Sequence, residues 1–174
     1  MYREFWFISL GLVAISCSLS MAATGKANLK GTTEGSDIKG EVKLEDSPLG
    51  LKIEADLVNV PAGQHAFHIH EFGDCSDTGN AAGSHYNPKN TIHGDVLKNG
   101  MSKAHAGDFG NVTIDDKGMG HFSAVVKGLK LKDGSNTVVG RAFVLHANPD
   151  DFGQPTGNAG GRIACGPIVL TKPN

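Results

Sequence analysis

Between residues 38 and 57 the chain alternates with a period of two, and nothing else in it restricts the fold as strongly. Ile38, Gly40, Val42 and Leu44 fall on one side, with Lys39, Glu41, Lys43 and Glu45 on the other. After a turn at Ser47-Pro48, Leu51, Ile53, Ala55 and Leu57 alternate with Lys52, Glu54 and Asp56. Successive side chains of a strand project to opposite faces, so the pattern predicts a half-buried antiparallel sheet with one wet face. Further strands are predicted at 26–32, 65–70, 120–127, 137–146 and 162–171. The 24 glycines among 174 residues add an expectation of many turns and no long helix. No internal repeat or low-complexity linker interrupts the chain, which fits one domain.

The sequence opens with MYREFWFISLGLVAISCSLSMAA, where an apolar run from Ile8 to Leu19 follows Arg3 and precedes Ser20-Met21-Ala22. The run is short for a membrane span and reads as a secretory signal over residues 1–22, leaving the folded domain at 23–174. Ala14-Ile15-Ser16-Cys17 offers lipid attachment at Cys17 as the alternative. Loss of the signal removes Arg3 and Glu4 together and leaves the formal net charge at −2, which provides no basic footprint for nucleic acid. Cys75 and Cys165 are the cysteines that remain. In an oxidising compartment two thiols read as one disulfide, with two buried free thiols as the alternative. Such a bridge closes a loop of about ninety residues and is worth roughly 4–5 kcal/mol.

Between His70 and Gly120 the alternation gives way to a segment rich in Gly, Asn, Asp and His, and Ala147 to Gly161 is similarly irregular. Loops this long inside one domain carry function or are clamped. Six of the eight histidines lie in or beside these stretches. His68 and His70 share one face of a predicted strand, and Phe67 and Ile69 point the other way, into the core. His85, His93, His105 and His146 follow. Imidazole suits copper and zinc, and a carboxylate such as Asp108 can complete a zinc tetrahedron. His65 is expected to make a structural hydrogen bond near this group, His121 to be exposed without a partner, and Lys127–Lys132 to form a solvated turn.

The stretches HAFHIHEFGD (65–74), GSHYNP (83–88), HAGDFGN (105–111) and GNAGGRIACG (157–166) resemble the signature segments of the copper/zinc superoxide dismutase family, in its exported bacterial form. The resemblance covers residues 26–171. It implies an all-β fold, a flattened eight-stranded antiparallel Greek-key barrel (a sandwich of the immunoglobulin type) with long metal-binding loops. It further implies one copper and one zinc ion per subunit, and superoxide as the substrate. By position, His68, His70, His85 and His146 would hold copper, and His85, His93, His105 and Asp108 would hold zinc. His85 would bridge the two ions and carry a proton. Asp150 would be the carboxylate behind His68 and His93, Arg162 the arginine that attracts the anion, and Cys165 one half of the family disulfide. Cys75, five residues after His70, is placed as in bacterial members.

One departure from the family pattern stands out. The segment Asp151-Phe152-Gly153-Gln154-Pro155-Thr156 is short and contains no basic residue, where animal members carry lysines and glutamates. Steering of the anion would then be weaker, or come from Lys89 or Lys103. A copper-delivery protein would lack ligands or add a cysteine-rich domain, and a metal buffer would carry a His- or Met-rich tail; neither feature is present. Members of the family occur as monomers and as homodimers, and an exported bacterial member would be periplasmic.

Overall fold

The computed structural model describes residues 22–172, so the proposed signal and Cys17 lie outside the described residues, Ala22 excepted. Eight strands carry the fold: β1 (Thr24–Gly31), β2 (Lys39–Ser47), β3 (Gly50–Val58), β4 (Gly63–His70), β5 (Asp108–Ile114), β6 (Gly120–Val126), β7 (Ala142–His146) and β8 (Arg162–Leu170). They close into a barrel in the order β1-β2-β3-β6-β5-β4-β7-β8, and every pairing is antiparallel. The β3–β6 and β4–β7 neighbours are not consecutive in the chain, which makes the topology a Greek key. Among the described residues helix is confined to a 3-10 turn at Asp77–Ala82 and one short helix, α1 (Val96–Asn99).

The period-two pattern explains the barrel wall. Val42, Leu44, Leu51, Ile53, Ala55 and Leu57 are all buried, while the lysines and acids between them line the outside. Gly40 occupies an inward position because a Cβ there would lie 2.6 Å from Leu57 Cδ2. Under the site, Phe67 stacks on Phe143 with ring centroids 5.0 Å apart and meets Phe122 edge-on at 5.4 Å. This aromatic floor, offset and edge-to-face as ring quadrupoles prefer, supports β4 and β7 from the core side.

Three expectations need correction. Asp108–Ile114 lies within the stretch read as irregular yet forms β5. Its first residues are buried on both faces, core on one side and histidines on the other, so no polar alternation marks it. The strand expected at 137–146 begins only at Ala142, because Gly140 takes a positive φ of 80° and Val138 and Val139 instead donate to the carbonyls of Lys130 and Leu131. The segment 127–132 is no solvated turn. Leu129 and Leu131 are fully buried, and the Leu131 N–H donates to Asp46 at 2.8 Å.

Candidate metal centre

Eight side chains converge where the irregular segments fold back over β4 and β7. His68 and His70 come from β4, His146 ends β7, and Asp108 opens β5. His85 is laid against β4 by a run of main-chain hydrogen bonds. Glu71 N–H donates to Ser84, Tyr86 N–H to Ile69, Gly107 N–H to Tyr86, and Ile69 N–H to Gly107. Only glycine permits the last approach, since a Cβ on Gly107 would sit 2.2 Å from the Ile69 carbonyl oxygen. The β4–β5 register shifts between Ala66 and His68, and the β7–β8 register between Leu145 and His146. Irregularities of this kind re-aim side chains at a strand end, here two of the histidines.

The result is two quartets. His68, His70, His85 and His146 bring one donor atom each to within 4.8 Å of one another, and so do His85, His93, His105 and Asp108; all are buried. His85 belongs to both. Its Nδ1 lies 2.8 Å from Asp108 Oδ1, which leaves the other ring nitrogen for the first quartet. Behind them Asp150 spans the pair, with Oδ2 2.8 Å from His68 Nε2 and Oδ1 2.9 Å from His93 Nε2. Asn111 fixes Asp150 in turn, accepting from its N–H at 2.6 Å and donating to its carbonyl at 2.9 Å. Gly157, at φ 77°, leaves room for the bridge, because a Cβ there would fall 2.0 Å from Asp150 Oδ1.

Hydrogen bonding shows what the first quartet is built to hold. His70 Nδ1 faces the Gly83 carbonyl at 3.0 Å and His146 Nδ1 the Gly160 carbonyl at 3.3 Å. A carbonyl only accepts, so each Nδ1 carries the proton and each Nε2 is a bare lone pair. Those two Nε2 atoms stand 3.2 Å apart. His68 Nε2–H donates to Asp150, and its bare Nδ1 is buried with no hydrogen-bond partner. Three lone pairs thus meet at one point, an arrangement that a cation satisfies and a network of neutral imidazoles does not.

In the second quartet Asp108, fully buried, has the Nδ1 atoms of His85, His93 and His105 within 2.8, 2.8 and 3.1 Å of its oxygens. His93 Nδ1 lies close to Asp108 Oδ2 but out of line for a hydrogen bond, so both aim at a common point rather than at each other. Burial pushes the Asp108 carboxyl up, yet the three imidazoles hold it well below the usual carboxylate range. Burial likewise opposes the charge on His93, and the Asp108 and Asp150 carboxylates beside its two nitrogens raise it to about 9. A retained positive charge at this point, carried by a proton without metal, is what a divalent ion would replace. Burial, reinforced by neighbouring imidazoles, lowers His70 to about 2, His146 to about 3 and His85 to about 4, so these rings are neutral and available as ligands.

These shifts set the pH dependence of the metal-free chain. As pH rises from about 4 to 6.5, the unfolded chain holds protons at residues 70, 85 and 146 that the folded chain refuses, so stability climbs. From 6.5 to about 9 the folded chain keeps the His93 proton that the unfolded chain has lost, and stability declines. Asp108 and Asp150, both depressed, contribute above the ordinary value of 3.8 and lose that contribution as pH falls. The thermal midpoint of the metal-free protein is therefore expected to peak near pH 6.5. A midpoint still rising at pH 8.5 would contradict the His93 assignment.

The first quartet opens to solvent through a cavity of about 470 Å³ lined by His70, His85, His146, Thr156, Asn158 and Arg162, among others. Among the described residues Arg162 is its one permanently charged lining residue; neither Lys89 nor Lys103 lines it. The guanidinium is fixed by carbonyls of the 3-10 turn, donating to Gly79 and Gly83 at 2.6 Å each. Burial lowers the pKa of Arg162. That turn is tied to β8 by the Cys75–Cys165 disulfide, so the free-thiol alternative is excluded. His65 makes the structural contacts expected of it, with Nδ1 2.8 Å from the His146 carbonyl and Nε2 2.8 Å from that of Pro61. His121 is exposed as expected, but it has a cross-strand partner in Asp56 at 2.7 Å. Asn111 carries no mark in the sequence that would single it out.

Comparison with known proteins gives one consistent result. A family model described as copper/zinc superoxide dismutase matches residues 38–168. The chain is 31% identical over 169 residues to an extracellular superoxide dismutase [Cu-Zn] of Brugia pahangi, covering 91% of this chain and 82% of that protein. The crystal structure of the clock protein EA4 superposes with a TM-score of 0.76 at 32% identity, over 90% of this chain and all of the other.

Proposed function

The chain belongs to the copper/zinc superoxide dismutase family, and on that premise we propose how its residues divide the conversion of superoxide to dioxygen and hydrogen peroxide. His68, His70, His85 and His146 hold copper, and His85, His93, His105 and Asp108 hold zinc. The observation that carries this reading is the convergence of three bare imidazole nitrogens beside a second quartet that shares His85. Copper supplies the one-electron redox chemistry that zinc, with a single accessible oxidation state, does not.

The protein's own part is positioning, charge and protons. Arg162 draws the anion into the cavity and orients it beside His70, His85 and His146. The ring nitrogen of His85 turned toward the first quartet is the atom that takes up and releases a proton for the peroxide product, while its Nδ1 stays with the zinc-side carboxylate. Asp150 keeps the His68 and His93 rings oriented by accepting a hydrogen bond from each Nε2–H. The short segment 151–156 brings no basic side chain to the cavity, so attraction of the substrate rests on Arg162.

Residues 1–22 are proposed as a secretory signal, with 23–174 as the mature domain. The disulfide and the extracellular relative both support export. That relative is not bacterial, and neither a periplasmic address nor a lipid at Cys17 draws support from it. Among the described residues no helix is long and apolar enough to cross a membrane.

Metal analysis of the purified mature chain is expected to find one copper and one zinc, with superoxide decay lost on copper removal and restored on its return. Zinc alone, and no activity after copper addition, would overturn the reading. Arg162→Ala removes the cavity's permanent cation and is expected to cost about tenfold in rate, the effect of about 1–2 kcal/mol of charge interaction in a partly wet site. The residual rate is expected to depend less on salt, with copper content unchanged; unaltered kinetics would remove Arg162 from the mechanism.

A further inference from the structure

The two quartets are supported differently. His68, His70 and His146 lie on β4 and β7, where the ladder holds their main chains. His93 lies in no strand or helix. Its N–H donates to Gln154 Oε1 at 3.2 Å, and its carbonyl accepts from Gln154 Nε2 at 3.0 Å. Among the described residues these are the only hydrogen bonds made by the His93 main chain. One carboxamide, sixty-one positions away in the chain, thus performs for His93 what a neighbouring strand performs for the others.

The segment that carries Gln154 is closed on itself. Gly157 N–H donates to Gly153 at 2.7 Å and Asp151 N–H to Gly157 at 3.0 Å, which sets residue 154 at a fixed place between them. Asp150, where the segment begins, holds the His93 ring through Nε2, and Phe152 lies nearly parallel to that ring at 6.4 Å. The ring and the main chain of one histidine are therefore gripped from the same eight residues. Among the described residues Gln154 makes no hydrogen bond to the first quartet.

We infer that Gln154 is a positioning residue for zinc: its carboxamide fixes the main chain of His93 and so slows loss of the ion from the second quartet. The role rests on the zinc-side assignment of His93 proposed above. It also gives the short 151–156 segment a purpose, since what this segment lacks in cationic side chains toward the cavity it supplies as a clasp on the other metal.

The test is the rate at which a chromophoric chelator strips zinc from the copper- and zinc-loaded protein, measured beside copper content and the thermal midpoint of the metal-free form. Gln154→Ala is expected to release zinc at least tenfold faster, in the range found for partners behind a metal ligand. Gln154→Met, which keeps the side-chain bulk and loses both hydrogen bonds, is expected to do the same. Copper retention is expected to stay as in the parent and the metal-free midpoint to fall by no more than about 5 °C, the effect of two local hydrogen bonds and less than a general loosening of the fold would give. A Gln154→Met protein that keeps its zinc as long as the parent, or variants that shed copper and zinc in equal measure, would overturn the inference. A parent chain that holds no zinc against the chelator would instead defeat the assignment of the second quartet.

Discussion

His85→Ala is expected to uncouple both metals in a single step. The residue supplies one nitrogen to each quartet, so its removal leaves three donors on either side. Zinc in a closed site takes four ligands, and loss of one is expected to exceed the 10–100-fold drop in affinity typical of losing an outer partner. Asp108 would also lose one of its three imidazoles and sit buried with less compensation for its charge. Activity is expected to fall further than in Arg162→Ala, because the variant loses a proposed ligand and the nitrogen proposed to carry the proton together. The comparison is made by zinc and copper titration of the metal-free variant and by superoxide decay. A variant that retained parental zinc affinity would exclude residue 85 from the second quartet.

Removing the disulfide is expected to give the largest loss of stability. Cys75 and Cys165 are separated by 90 residues, and on the chain-entropy view a loop of this size is worth roughly 4–5 kcal/mol. For a domain of this length that corresponds to a fall of about 10–20 °C in the thermal midpoint. Paired Cys75→Ala and Cys165→Ala substitutions avoid leaving a reactive thiol, and chemical reduction of the parent gives an independent measure. The loss extends to function, because the bridge ties down the turn whose Gly79 and Gly83 carbonyls hold the Arg162 guanidinium. Rate and stability are therefore expected to fall together. A midpoint within about 3 °C of the parent would show that the turn is held by other contacts, an outcome equivalent to under about 1.5 kcal/mol.

Alternation is clearest in the strands with one wet face. β2 and β3 show lysines and acids at every second residue, and their limits agree closely with expectation. β5 went unrecognised because its opening residues are buried on both sides, which erases the alternation. Residues 137–141 were misread as strand because two valines preceding Gly140 imitate one. At the site, the histidines and Asp108 stood out by residue type and by resemblance, and the structure gathers them into two quartets. Asn111 and Gln154 did not stand out. Each acts through an ordinary carboxamide on the main chain of a residue 39 or 61 positions distant, and no local pattern encodes such a contact.

Closure of β1 onto β8 has a consequence outside catalysis. A sheet that ends leaves a row of vacant amides on which a foreign segment can add, the usual route to domain swapping and fibrils. In this wall each of the eight strands has a neighbour on both sides, and among the described residues the thinnest seam is β5–β6, which pairs only at Ile114 and Gly120. For a chain proposed to be exported, beyond the reach of intracellular chaperones, near-complete closure leaves little edge for a foreign strand to extend.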